Sequence, residues 1–63
     1  MPLNTQPNIA NADAFYQRLV ELHQDRSAEQ SGLINASLIL LLANHIGDIG
    51  TLREALTLAR EGV

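Results

Sequence analysis

The chain has no cysteine, no lysine and no tryptophan, and its aromatic complement is one phenylalanine and one tyrosine. Each shortage excludes something. Without thiols there are no disulfides and no thiolate metal sites. Two histidines, His23 and His45, are too few to hold a metal core, so no cofactor is expected. Basic charge is scarce as well: Arg18, Arg26, Arg53 and Arg60 stand scattered among seven acids, for a net charge of -3. Proteins that bind nucleic acid cluster their cations on one face, because phosphate neutralisation supplies most of the affinity. Neither nucleic acid nor an anionic membrane is an expected partner.

Long hydrophobic runs are missing too. The longest, Leu38 to Ala43, falls far short of the roughly 20 residues that a membrane span requires. Residues 1–10 lack both a positive start and an apolar stretch, so no secretory signal is expected, and the cytoplasm is the default compartment. No Ser-His-Asp arrangement, phosphate loop or pair of catalytic carboxylates is present. A chain of 63 residues also has little capacity for a deep pocket. Catalysis is not expected.

What is there is aliphatic and helical. Residues 1–10, with two prolines and two asparagines, read as an extended arm in which Ile9 tucks against the following helix; residues 11–63 read as one helical domain. Asn11 is an N-cap and Asp13 suits a first turn, opening a helix over Ala12–Arg26. Leu22, Phe15, Leu19, Ala12, His23, Tyr16 and Val20 share one arc of that helix, and polar side chains fill the other. The ordinary role of His23 on this arc is that of a core-edge histidine bonded to a carbonyl.

Ser27 and Gln30 spell a capping box after a tight turn, and Gly47 suits the left-handed position that closes a helix. A second helix is therefore predicted over Ala28–Ile46. Asp48 caps a third, from Ile49 to about Arg60, unless Thr51 and Glu54 form a later capping box. Ile49, Leu52, Ala55, Leu56, Ala59 and Val63 share a face of this third helix, and Leu58 is apolar on the wrong side. The fold class is all-α, three short helices around an apolar central one.

The central helix has no wet face. Leu33, Ile34, Leu38, Ile39, Leu40, Leu41, Leu42 and Ile46 are spread around the whole circle, the pattern of a buried helix. Two short amphipathic neighbours cover two of its sides and leave a third. Exposing three or four Leu or Ile side chains forfeits roughly 1.5–3 kcal/mol each, against a domain stability of about 5–15 kcal/mol. Completion by self-association, with a dimer the leading form, or by docking to a larger protein is expected. Gly32, Ala36, Ala43 and Gly47 form a stripe of small residues that either seats a neighbouring helix or lets a second chain approach. With Ile39, Leu40 and Leu58 these are the candidate interface residues. Gln30, Ser37 and Asn44 repeat every seven residues, either as a solvated strip or as a register device.

His45 and Asp48 are weak metal-ligand candidates. The ordinary alternative is a last-turn histidine that suits the helix C-terminus, followed by a capping Asp. Two further functions stay open beside protein binding: a helical regulator of nucleic-acid or antitoxin type, and a metal or cofactor site assembled at an oligomer interface.

The segments Asn8-Ile9-Ala10, Asp13-Ala14-Phe15-Tyr16 and Ala43-Asn44-His45-Ile46-Gly47-Asp48 carry a resemblance covering nearly the whole chain. It resembles a small group of bacterial proteins catalogued as domain of unknown function 2783. The resemblance implies no activity and no site residue. Through the gene neighbourhood of such proteins it implies an accessory subunit beside a flavin-dependent oxidoreductase of aromatic catabolism. Asn11-Ala12 departs from the Asp-Pro expected to open the first helix, and Gly50 leaves the start of the third open.

Overall fold

The computed structural model describes residues 2–63. Three helices follow one another: α1 (Ala12–Leu22), α2 (Ala28–Ile46) and α3 (Ile49–Glu61), with no strand among the described residues. The class is all-α, as the periodicity predicted.

Local chemistry sets the helix ends. Asn11 Oδ1 accepts from the Ala14 N–H at 3.0 Å. Ser27 and Gln30 exchange side-chain and backbone bonds at 3.0 and 3.1 Å, which closes both halves of the capping box. Gly47 ends α2 at φ +72°, where a side chain would strain the backbone, and its N–H returns to the Ala43 carbonyl. Asp48 caps α3 through the Thr51 N–H. The alternative box at Thr51 and Glu54 does not form, because Thr51 already lies inside α3 with its N–H and hydroxyl on Asp48; the Glu54 carboxylate accepts from the Leu3 N–H at 2.9 Å.

Three expectations need correction. The first helix ends at Leu22 rather than Arg26. The chain must reverse before Ser27 can open α2, and it does so through a turn over residues 23–25 with Asp25 at φ +57°; aspartate tolerates that left-handed region better than most residues. Ile9 does not staple the first helix and remains 59% exposed. His23 bonds a hydroxyl rather than a carbonyl, its Nδ1 lying 2.9 Å from Ser31 Oγ.

The arm is tied at both scales. Asn4 Oδ1 accepts from the Gln6 N–H, a local turn, while the bond from Leu3 to Glu54 fastens the arm to α3 across 51 positions of sequence.

No core sits between these helices. Among the described residues no apolar side chain is buried, and no pair of helices packs along its length. Of the described residues only Thr51 is buried, 5% exposed. Leu19, Ile34, Leu38, Ala43, Leu52 and Ala55 reach only half-burial. The radius of gyration is 13.3 Å, whereas a compact chain of this length has about 10.6 Å.

Candidate functional site: an uncovered apolar helix

α2 joins its neighbours on one side only. Ser31, Ile34 and Leu38 are half-buried there, and the contact of His23 with Ser31 marks where the first turn of α2 meets the end of α1. Beside it runs an open groove of about 350 Å³ lined by Leu22, Leu33, Ile34, Ser37, Leu38 and Leu41. Much of α2 is exposed, Leu33 and Leu41 of that groove included. Leu40 is 70% exposed, Leu41 69% and Leu33 65%, with Ile39 and Leu42 also exposed.

The predicted interface residues divide by location. Gly32, Ala36, Ile39 and Leu40 are exposed, and a Cβ built on Gly32 meets nothing within 4 Å. The upper half of the small stripe therefore seats no helix of this chain. Ala43 is half-buried. Gly47 lies beyond the last turn, and its left-handed φ accounts for its identity without any partner. Leu58 is far from that stripe in role: with Leu3, Thr5, Arg53, Glu54 and Thr57 it lines a groove of about 410 Å³ between the arm and α3. An apolar residue on the polar side of α3 thus faces the arm. The wheel alone gave no sign of this, because the arm's residues are remote in sequence.

α1 repeats the situation of α2. Its apolar arc exists as predicted, yet only Leu19 and His23 reach half-burial, while Tyr16, Phe15, Val20 and Leu22 remain exposed. The polar positions Gln30, Ser37 and Asn44 are exposed as well. Gln30 is occupied by its cap.

The electrostatics are local. The Asp48 carboxylate accepts from the Thr51 hydroxyl at 2.6 Å and from the Thr51 N–H at 2.9 Å, and these two bonds, the hydroxyl's first, hold its pKa below the usual carboxylate value. Asp48 is therefore engaged as a cap. His45 stands exposed in the last turn of α2. Among the described residues no group of three or more His, Cys, Asp or Glu side chains is placed to hold a metal ion, and no helix is long and apolar enough to cross a membrane.

Area gives the exposure its scale. The chain presents 5762 Å² to solvent. Compact proteins of 6.9 kDa present about 4,000 Å², so the excess is about 1,800 Å².

Residues 3–61 match the family described as a protein of unknown function, DUF2783, and the chain belongs to that family. The resemblance carried by the Asn8, Asp13 and Ala43–Asp48 segments is thereby confirmed. No curated protein and no solved structure matches the chain.

Proposed function

We propose that this chain is a protein–protein interaction subunit that works inside an assembly, either of its own copies or with a larger protein, and that α2 is its docking surface. It acts by association rather than catalysis, and its partner is a protein rather than a nucleic acid. The observation that carries this reading is the surplus surface, about 1,800 Å² over the whole chain beyond a compact chain of its mass, to which the exposed leucine and isoleucine side chains of α2 contribute. Water penalises that exposure at about 25 cal/mol per Å² of apolar area. A chain of this size has no reserve of stability with which to offset it.

The open shape supports the same reading. A compact body with the chain's radius of gyration, 13.3 Å, would hold about 115 residues, nearly twice the 63 present. Room is left between the helices for side chains from elsewhere.

The test is helicity by circular dichroism across a thousandfold dilution of the purified full chain. The reading expects helicity and thermal midpoint to fall on dilution, or a chain that becomes helical only with its partner protein. A single-chain particle with a sharp, dilution-independent unfolding transition would overturn it.

A further inference from the structure

The outward face of α2 has a spacing that specifies its occupant. Leu33, Ala36, Leu40 and Ala43 follow one another at intervals of three, four and three residues, so at 100° per residue they lie within a strip about 80° wide. This strip lies away from Ser31, Ile34 and Leu38, which face α1. Leu33, Ala36 and Leu40 are exposed, and Ala43 is half-exposed. Large and small side chains alternate along the strip. Glu29 and Gly47, at the next positions of the same spacing, close it at its two ends.

We infer that this face is occupied by the same face of a second copy of the chain, with the two α2 helices antiparallel about a two-fold axis at the level of Leu38. This rests on the reading of α2 as a docking surface and names its partner.

Three observations select the second copy and the direction. First, in the antiparallel arrangement Leu33 of one copy meets Ala43 of the other, and Ala36 meets Leu40. Every layer then holds one leucine and one alanine, and the layers are equal in volume. The parallel arrangement stacks leucine on leucine and alanine on alanine, which leaves voids at the alanine layers, and well-packed interiors do not tolerate such voids. Second, parallel pairing sets Glu29 against Glu29 of the other copy, a like-charge contact. Antiparallel pairing separates these carboxylates by about 27 Å along the helix axis and opposes the two helix dipoles favourably. Third, the area suffices. The whole-chain surplus of about 1,800 Å² per copy sets an upper bound of about 3,600 Å² for the pair, which leaves room for the roughly 2,000 Å² at which obligate homodimers begin.

The absence of native cysteine makes the arrangement directly readable. Leu33→Cys and Ala43→Cys chains are prepared separately, mixed, refolded together and oxidised mildly, with helicity checked on each. Antiparallel pairing expects a disulfide between the two different variants in the mixture and little or none within either variant alone, because like positions lie about 15 Å apart along the axis and a disulfide needs Cα atoms within about 7 Å. Covalent dimers in the Leu33→Cys sample alone would overturn the antiparallel direction. An assembly of twice the chain mass that yields no mixed disulfide would overturn the α2 pairing, while the broader reading of α2 as a docking surface would survive. If the chain folds only with a different protein, the second copy is excluded and the docking surface keeps another occupant. Helical mixed covalent dimers whose formation is lost when Leu40→Glu is added to both chains confirm both the face and the register.

Discussion

The two ends of α2 and its long sides are built on different principles. At the ends, caps give backbone groups local partners: Ser27 and Gln30 satisfy each other's N–H groups, and Gly47 turns the chain at φ +72° with its N–H on Ala43. Along the sides, Leu33, Ile39, Leu40, Leu41 and Leu42 are left mostly in water. The ends are completed by residues within four positions of themselves. The sides need atoms that α1 and α3 do not supply. A short chain can thus have its helices specified by local signals while its own helices leave their apolar faces uncovered.

That comparison can be broken from either side. The largest effect is expected from Ala36→Glu, which leaves the ends intact but sets a charge on the outward face. An unpaired buried charge costs about 3–5 kcal/mol, so association should weaken at least a hundredfold; sedimentation at a fixed concentration should show the loss of the heavier species. If the variant assembles as the parent does, the outward face is not where copies meet.

A change at an end should act differently. Gly47→Ala meets no steric obstacle, since the nearest atom to an added Cβ is the Asn44 carbonyl oxygen at 3.8 Å. Its cost is conformational, about 1–2 kcal/mol for a residue with a side chain held in the left-handed region. The thermal midpoint should fall without a change in the mass of the assembled species. Ser27→Ala removes one half of the capping box and should cost about 1 kcal/mol, read as lower helicity at equal assembly state.

The smallest effect is a pH dependence at the start of α3. Thr51 holds the Asp48 carboxyl below its ordinary pKa, so the ionised cap stabilises the folded chain. That contribution is complete above about pH 4, the ordinary carboxylate value, and disappears as pH falls through the lowered folded value. The acid limb of a helicity titration should therefore become shallower in Asp48→Asn, which still accepts the Thr51 bonds but does not titrate. An unchanged acid limb would remove Asp48 from the account.

The same division explains what was legible in the sequence. α2 could be bounded because Ser27, Gln30 and Gly47 are short-range signals with a stereochemical cause, whereas the start of α3 stayed open by a turn between Asp48 and Thr51. The end of α1 was not legible. Its apolar arc continues through His23, no glycine marks the stop, and Asp25 takes the left-handed turn position that glycine more often fills. Contacts between remote residues were equally hidden. Leu58 looked misplaced on α3 until the arm was found beside it, and the bond of Leu3 to Glu54 has no precursor in any local pattern. The uncovered face of α2 was legible as a deficit, since leucines on every side of one helix outnumber the neighbours available. The alternation of leucine and alanine on that face became informative only once α1 was seen to lie on the opposite side.

Sedimentation equilibrium of the full chain, from micromolar to millimolar concentration, reads whether the outward face of α2 is covered. The expected mass is that of two chains, about 14 kDa from the 6.9 kDa of one, dissociating only at the dilute end with loss of helix. A single folded chain of 6.9 kDa persisting at millimolar concentration would contradict it.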